Sequence, residues 1–468
     1  MSSTSKDGGG GGAAAGATPA RPHAHSKNHS GAGGAGAGLH GKRPRWVAFM
    51  YELVNGHWMQ CTYMALVGID LGTTYSVVAI SQKNNVSVIP DAFGHVIIPS
   101  IVAFLPGGDV LVGRQARAHR TKDPEHTIFN AKRFIGRIYD DVKQSKDDES
   151  YEYTVARASL SEPESGVCFQ LSLPGHPKCV TPVSVGSAIV RHLRAMAHSF
   201  VGHDQITKAV IAVPVDFDAK QRAATQQAFA AAGLQVSRIL EEPTAAAIAY
   251  GLHQDASVNF ILVFDFGGGT LDVSLLFTRS GSISVVDTIG DNHLGGEDID
   301  SQVAELLTEA IAARIGTTLT SMASDMEETD SELHEDPGQL PCTPAGIRRA
   351  AELLKRTLSS EGSGSASCIV QRSGTLLQSA EKVTIDMTRA QFEDICGEIL
   401  KRTLTPVQEI ISANHMTPEE IDAVVLVGGS SRIPWVREHL AELFDGRAPL
   451  SDIDPDIAVA YGAARVVD

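Results

Sequence analysis

Two stretches of the chain, residues 67–78 and 263–274, repeat one order of apolar and polar positions. Each begins with an apolar run, continues with an Asp and a cluster of Gly and Thr, and ends with a second apolar and β-branched run. Apolar runs of this length are typical of buried strands, and the small residues between them are typical of a tight turn. The pattern predicts two similar strand-turn-strand units.

A second pair of segments repeats in the same way. Residues 209–213 form an apolar run that precedes a helical pattern through Arg222, and residues 423–427 precede another through Arg437. Further strands are predicted at 86–90 and 97–104, and an amphipathic helix at 184–203. A strand-turn-strand followed by a strand-loop-helix thus occurs twice. We expect two similar α/β lobes that close on a cleft.

The first 45 residues differ from the rest in composition. They are rich in Gly, Ala and Ser, with scattered His, and contain too little apolar surface to fold. Lys42 to Arg45 followed by the apolar run 46–54 has the order of a signal peptide, but Glu52 interrupts the run and Met1 is distant. This segment does not establish a compartment.

Charge and length exclude several classes of function. The chain of 468 residues has a net charge of −16, and because the first 45 residues carry +5, the remainder carries −21. An acidic surface of this kind repels nucleic acid, so no nucleic-acid partner is expected. No run approaches the ~18 apolar residues of a membrane span.

The six cysteines lack the short spacings of a metal site. They stand at 61, 168, 179, 342, 368 and 396, with no CxxC pair. We expect most of them to be buried free thiols rather than a zinc site or a disulfide framework.

The chemistry of the two turns favours phosphate binding. Glycine lets backbone N–H groups approach an anion, Thr hydroxyls add donors, and an Asp can hold a hydrated cation. A single copy would equally fit an ordinary hairpin, but two facing copies could hold one Mg-phosphate from both sides. The turn residues are Asp70, Gly72, Thr73, Thr74, Tyr75, Asp265, Gly267, Gly268, Gly269, Thr270 and Asp272.

Five runs in order resemble the seventy-kilodalton heat-shock chaperone family, within the superfamily that includes actin and sugar kinases. They read IDLGTTY at 69–75, NAKRFIG at 130–136, EEPTAAAIAYG at 241–251, FDFGGGTLDV at 264–273 and VLVGGSSRIP at 425–434. The resemblance spans about 65–467 and implies a two-lobed actin-like ATPase fold, with duplicated ribonuclease-H-like α/β lobes around a nucleotide cleft. It is nearest to a truncated, microsome-associated member of the family.

The resemblance also implies a domain organisation. A tail at 1–62 would precede lobe I at 63–255 and lobe II at 256–452, with an acidic, flexible loop at 321–344. A C-terminal helix at 453–468 would complete the nucleotide-binding domain, and no peptide-binding domain is expected.

The same resemblance assigns the catalytic residues. Asp70 and Asp265 would orient the waters of a bound Mg²⁺, and Lys132, Glu242, Thr270 and Asp272 would surround the attacking water. From the residues alone, Lys132 could be a surface lysine and Glu242 could favour a helix N-terminus. By resemblance, Lys132 neutralises the γ-phosphate and Glu242 belongs to the shell of metal-bound water.

Nucleoside recognition would come from one face of a helix. Residues 352, 355, 356 and 359 share that face, where an exposed ion pair is the simple alternative. By resemblance, Glu352 and Lys355 contact the ribose, Arg356 stacks on adenine and Ser359 contacts the base edge. The remaining nucleotide-binding residues would be Gly295, Gly428, Gly429, Ser430, Arg432 and Asp456.

One loop departs from the family pattern. Asp216 and Asp218 replace the usual aromatic and amide residues after Val213 and Pro214. Because Pro214 and Arg222 correspond to a relay that reports nucleotide state, we expect that relay to be altered or idle.

Together these features predict an ATPase that uses Mg²⁺ and converts ATP to ADP, with nucleotide-exchange factors or J-domain co-chaperones as partners. A monomer is expected, associated with the endoplasmic reticulum by resemblance or cytoplasmic because the signal segment is weak. Two alternatives are a nucleotide-gated adaptor with little hydrolysis and a small-molecule kinase of the same superfamily.

Overall fold

The computed structural model describes residues 51–54, 57–60, 66–82, 85–120, 122–145, 151–159, 166–315, 340–372 and 379–466. The chain divides into two units, Met1–Cys61 and Thr62–Asp468. In the first unit, strands β1 (Tyr51–Val54) and β2 (His57–Gln60) form an antiparallel hairpin. This hairpin lies in the segment for which the sequence predicts a disordered tail, and residues 1–50 of that tail lie outside the described residues.

The second unit begins with the elements of lobe I. Its strands are β3 Leu66–Leu71, β4 Tyr75–Gln82, β5 Asn85–Val88, β6 Ile98–Pro99, β7 Val102–Phe104, β8 Val110–Val112, β9 Thr127–Ile128, β10 Val155–Arg157, β11 Val167–Gln170, β12 Cys179–Val180, β13 Lys208–Val213 and β14 Gln235–Glu241. Its helices are α1 Arg114–His119, α2 Tyr139–Ser145, α3 Pro182–Val201, α4 Ala219–Ala231 and α5 Glu242–Ala249, with 3-10 turns at Ala131–Phe134 and Leu252–Gln254.

Lobe II follows from residue 260. Its strands are β15 Phe260–Phe266, β16 Leu271–Arg279, β17 Ser282–Asp291, β18 Ser363–Arg372, β19 Ser379–Thr388 and β20 Ala423–Val427. Its helices are α6 Gly296–Ile315, α7 Pro344–Ser360, α8 Arg389–Ile395, α9 Gly397–Arg402, α10 Thr405–Ala413 and α11 Pro434–Leu443, with 3-10 turns at Pro418–Glu420 and Gly429–Arg432. The last described helix of the chain is α12 Ala458–Arg465. None of these described helices is long and apolar enough to cross a membrane.

The central sheets of the two lobes have the same topology. Lobe I has the order β14-β13-β3-β4-β5, in which β3 is antiparallel to β4 and parallel to β13. Lobe II has the order β17-β16-β15-β20, in which β15 is antiparallel to β16 and parallel to β20. Val425 of β20 also forms a parallel bridge with Leu450, on the side of the sheet where lobe I has its strand β14. The structure therefore agrees with the duplication that the apolar pattern predicts.

Small residues join the lobes at the base of the cleft. The core there combines Ala212 and residues 245–247 of lobe I with Val263 and Val425 of lobe II. Helix α12 packs on β3, β4 and α5, so the C-terminal segment completes lobe I. A side chain at Gly462 would collide with the carbonyl oxygen of Ala245, which explains why glycine stands where α12 crosses α5.

Four cysteines correct the prediction of free thiols. Cys168 and Cys179 form a disulfide between β11 and β12, with Cα atoms 5.6 Å apart, and Cys342 and Cys368 form another with Cα atoms 5.0 Å apart. Cys396 is buried and free, and Cys61 lies outside the described residues. The prediction was wrong because spacing along the chain does not report which strands become neighbours.

Most of the predicted acidic loop at 321–344 also lies outside the described residues, which resume at Leu340. Thr343 caps α7 by accepting a hydrogen bond from the backbone N of Gly346 at 3.2 Å, and Pro344 is the first residue of that helix. The end of the predicted loop is therefore an ordered helix start.

Gly462→Ala is expected to destabilise the chain by about 1–3 kcal/mol, because its Cβ would force α12 away from α5. The free energy of unfolding in urea measures this effect. Gly397→Ala is the control: no atom lies within 4 Å of the added Cβ at the start of α9. Equal stabilities of the two variants would contradict the close crossing of the two helices.

Thiol labelling of the unfolded protein tests the disulfides. The protein is refolded with a glutathione redox pair and then labelled under denaturing conditions, and mass spectrometry is expected to show four more labelled cysteines after reduction than before it. Each disulfide is expected to stabilise the fold by about 2–4 kcal/mol. Equal numbers of labels before and after reduction would contradict the two disulfides.

Candidate active site

The first turn, between β3 and β4, is held by Ser100. The Ser100 hydroxyl donates to the carbonyl of Gly72 at 2.8 Å, and its backbone N–H donates to the carbonyl of Thr74 at 2.9 Å. A side chain at Gly72 would collide with the carbonyl oxygen of Tyr75. The turn is therefore held by protein contacts, and Thr73 lies beside a small cavity that Lys132 also lines.

The second turn, between β15 and β16, meets the first across the cleft. Gly267 donates to the carbonyl of Thr270 at 3.0 Å and closes the turn. A side chain at Gly268 would collide with Thr74, and one at Gly269 would collide with Arg133. Gly295 similarly leaves room for the backbone of Gly268. Gly268 therefore has no room for a side chain where the two lobes approach each other.

The predicted catalytic residues converge beneath the two turns. Lys132 Nζ donates to Glu242 Oε1 at 2.6 Å, and both side chains are largely buried. Burial, and next the nearby Glu242, raise the pKa of Asp70 to about 7. The same two causes raise the pKa of Asp265 well above its ordinary value. These shifts show that the acids share one desolvated region.

Asp272 belongs to the same group. Burial, followed by the proximity of Glu242 and Asp216, raises its pKa to about 7, although a hydrogen bond from the Thr270 hydroxyl opposes the shift. Asp265 and Asp272 are also paired directly across β15 and β16. The structure therefore brings together all six residues for which a catalytic role is predicted.

The donor set fits a hydrated divalent cation. Several buried carboxylates face one ammonium group, so added positive charge would relieve their repulsion. Among the described residues, no three His, Cys, Asp or Glu side chains are placed to bind one ion directly. Mg²⁺ keeps several of its waters when bound. That Asp70 and Asp265 would hold such an ion through water stays a prediction.

A cavity of about 130 Å³ adjoins these acids. Asp216, Glu242, Asp265 and Asp272 line it, together with the hydroxyl-bearing Ser274 and Thr288 and residues of the Pro214 loop. Its volume is sufficient for several water molecules. The attacking water predicted for this site would therefore have room beside Glu242 and Asp272.

The two acids that depart from the family pattern have separate roles. Asp218 caps α4: it accepts from Gln221 N at 2.8 Å, and the Gln221 side chain accepts from Asp218 N at 3.1 Å. Asp216 lines the cavity instead. Arg222 donates to the carbonyls of Phe217 and Val215 at 2.8 and 3.1 Å. Whether the relay is idle stays a prediction.

The predicted nucleoside-binding face lies on α7. Glu352 accepts from the Tyr75 hydroxyl at 2.9 Å across the cleft, and Arg349 and Arg117 outweigh burial to lower its pKa to about 2. Lys355 is buried and pairs with Asp300 at 2.8 Å. The Ser359 hydroxyl donates to the carbonyl of Lys355 at 2.9 Å.

Arg356 differs from its neighbours on α7 because its side chain is 60% exposed, with a contact of 3.7 Å to Glu352. Burial raises the pKa of Asp456, and the nearby Arg432 and, to a smaller extent, Arg356 oppose that shift. Arg432 donates to Asp456 at 2.9 Å and to Asp454. The exposed guanidinium of Arg356 is therefore the group on this face with freedom to stack on a base.

The glycines on the opposite side approach these acids closely. A side chain at Gly429 would press against Asp456, and one at Gly428, whose φ is +77°, would collide with the carbonyl of Phe266. The Ser430 hydroxyl donates to the carbonyl of Gly267 at 2.8 Å. A hydrogen bond therefore joins the 3-10 turn Gly429–Arg432 directly to the turn between β15 and β16.

The sequence reasoning missed the residues that bridge the lobes. Glu297, at the start of α6, accepts hydrogen bonds from Thr74 and Asn130, and Arg133 donates to the carbonyls of Gly269 and Asn292. The only sequence signal was an acid directly after two glycines at a helix start. A helix-dipole interpretation would have explained that signal without any bridge.

The family assignment rests on the match of residues 66–467 to the family model described as "Hsp70 protein". The chain belongs to the Hsp70 family. The two-lobed actin-like α/β fold predicted from the sequence is thereby confirmed. Members of the Hsp70 family are ATPases, and they bind nucleotide, typically with Mg²⁺, as well as co-chaperones.

A curated relative adds detail to this membership. The chain is 38% identical over 405 residues to a heat shock cognate HSP70 protein from Trypanosoma brucei brucei. The aligned region covers 86% of this chain and 56% of the relative. The chain thus spans little more than half the length of that Hsp70 protein. The resemblance to a truncated, microsome-associated member stays a prediction.

Asp272→Asn is expected to flatten the pH dependence of stability. A carboxyl with a pKa raised to about 7 in the folded state binds more protons folded than unfolded, so it destabilises the fold as pH rises from about 4 through 7. In EDTA, the free energy of unfolding should therefore fall less steeply over this range in the variant. Asp109→Asn, at an exposed site, is the control; an unchanged slope in Asp272→Asn would contradict the burial of this charge.

Proposed function

We propose that this chain binds Mg-ATP between its two lobes and hydrolyses it to ADP and phosphate. The observation that carries the proposal is the buried Lys132–Glu242 ion pair, 2.6 Å long, among the acids beneath the two turns. Phosphoryl transfer needs positioned charge more than covalent chemistry. A fixed ammonium group in a desolvated, acidic cleft meets that need.

Each side chain contributes a defined part of this chemistry. The Lys132 ammonium neutralises charge that develops on the transferred phosphoryl group, and Glu242 fixes its position. Asp272, oriented by the Thr270 hydroxyl, and Glu242 line the cavity from which water attacks. Bound Mg²⁺ would supply further positive charge to the phosphate oxygens. Asp70 and Asp265 would orient its waters.

The adenosine would lie between α7 and the 428–432 turn. The exposed guanidinium of Arg356 supports stacking on the base, and Arg432 with Asp456 forms the opposite wall. Lys355 forms an ion pair with Asp300 and donates a hydrogen bond to the carbonyl of Gly296 at 2.8 Å. Its ammonium group would have to contact a ribose in addition to these two groups.

We also propose that the protein works with exchange factors or J-domain partners in protein folding within the endoplasmic reticulum. Two disulfides support this compartment over the cytoplasm, because disulfides form and persist in oxidising surroundings. Resistance of the chain to added protease in sealed microsomes tests the location. Digestion of the chain without detergent would contradict it.

A second candidate function is a nucleotide-gated adaptor that hydrolyses little. Two hydrogen bonds between protein groups favour it, because they engage side chains for which nucleotide binding is predicted. The Tyr75 hydroxyl donates to Glu352, and the Thr74 hydroxyl donates to Glu297. An adaptor would respond to nucleotide by exchanging these contacts. Turnover with and without a J-domain partner distinguishes the two functions.

Lys132→Ala is expected to slow single-turnover hydrolysis of labelled ATP by about 100-fold or more, because the charge that meets the developing negative charge is lost. Nucleotide affinity should remain within about threefold of the unmodified protein. Lys401→Ala, which removes an exposed lysine of α9, is the matched control and should hydrolyse normally.

The outcomes separate the two candidate functions. Hydrolysis that survives in Lys132→Ala would contradict the assigned catalytic role. Tight nucleotide binding without hydrolysis by the unmodified protein would favour the adaptor.

A further inference from the structure

Glu297 contacts three separate parts of the cleft. Its carboxylate accepts from the Thr74 hydroxyl at 3.1 Å through Oε1 and from Asn130 Nδ2 at 3.0 Å through Oε2. Its backbone N–H donates to the carbonyl of Gly268 at 2.7 Å. One residue of lobe II therefore holds both phosphate turns and the segment that precedes Lys132.

The contact with Asn130 reaches the predicted catalytic lysine through the backbone. Asn130 is 3% exposed, has the left-handed φ of 54°, and precedes the 3-10 turn Ala131–Phe134. Its carbonyl accepts from Arg133 N at 3.0 Å, which closes the turn around Lys132. A carboxylate that fixes the Asn130 side chain therefore fixes the start of the turn from which Lys132 extends.

A second contact secures the other side of this turn. Arg133 Nη2 donates to the carbonyl of Gly269 at 2.6 Å, and its Nη1 donates to the carbonyl of Asn292 at 2.8 Å. Lys132 thus stands between two residues that are each bound to lobe II. Its position depends on how closely the lobes approach.

We infer that Glu297 is a positioning residue, which couples closure of the lobes to the placement of Lys132 and of the first phosphate turn. The inference rests on the proposed function, because it concerns the same cleft and the same reaction. When the lobes separate, Thr74 and Asn130 lose their common acceptor. The lysine turn then loses the contact that orders it, and the nucleotide is released.

The acceptor geometry suggests a set of variants. Glu297→Ala removes both hydrogen bonds, whereas Glu297→Gln can accept from Asn130 through its carbonyl oxygen and donate to the Thr74 oxygen through its amide. Asn130→Asp places a carboxylate against Glu297, and an Asp tolerates the left-handed backbone of this site. Combining Asn130→Asp with Glu297→Gln exchanges donor and acceptor and restores the pair. Glu305→Gln, an exposed acid on the same helix, is the control.

Three measurements on the full chain test the inference. The rate at which fluorescent ADP is released, followed by stopped flow, and the rate of single-turnover ATP hydrolysis both depend on closure of the cleft. Hydrogen exchange of residues 127–137 without nucleotide reports the lysine turn. Thermal unfolding verifies that every variant folds.

Glu297→Ala and Asn130→Asp are each expected to release ADP about tenfold faster, to hydrolyse ATP about tenfold more slowly, and to exchange faster at 127–137. Glu297→Gln and the double variant should stay within about threefold of the unmodified protein. Rescue of Asn130→Asp by the second substitution is a result that a general loss of stability would not produce.

The outcomes also separate this inference from the proposed function. Unchanged release, hydrolysis and exchange in Glu297→Ala would overturn the positioning role, even if Lys132→Ala abolishes hydrolysis. A double variant as impaired as Asn130→Asp would overturn it as well. If the unmodified protein neither binds nor hydrolyses ATP, the proposed function fails, and the exchange measurement alone decides whether Glu297 orders the lysine turn.

Discussion

The burial of several carboxylates around one ammonium group is the constraint on which the rest of this structure depends. Asp70, Asp265 and Asp272 all have raised pKa values, chiefly because they are removed from water and next because Glu242 is close. Such a cluster is unfavourable unless a rigid framework holds it, and it favours the approach of cations. The sheets and the glycine turns provide the rigid framework, and the ammonium group of Lys132 provides a compensating positive charge.

The duplicated sheets supply the rigidity. Asp70 and Asp265 each lie on the central strand of a sheet whose neighbours run antiparallel on one side and parallel on the other. Because both strands end at the cleft, the two acids are brought face to face by topology alone. The turns that follow must then pass each other closely, and this explains why Gly268, which faces Thr74 of the first turn, has no side chain.

The sequence could predict features that depend on local order. The two hairpins, the strands that follow them and the shared face of α7 all follow from apolar periodicity, and resemblance added the residues beneath the turns. Contacts between residues that are far apart in the sequence could not be predicted from it. The Cys342–Cys368 disulfide, the Lys355–Asp300 pair and the Glu297 bridge each join segments whose proximity only the folded chain determines.

The contacts between the lobes define how the cleft can move. At its base, the alanines of α5 pack against Val263 and Val425 in a continuous apolar core, where separation would expose hydrophobic surface. Towards the opening, the lobes meet through polar contacts instead, with Tyr75 on Glu352 and Thr74 on Glu297. Polar contacts can be exchanged for water at a small net cost, whereas an apolar core cannot. Separating the lobes at the polar contacts therefore costs less free energy than separating them at the alanine-rich base.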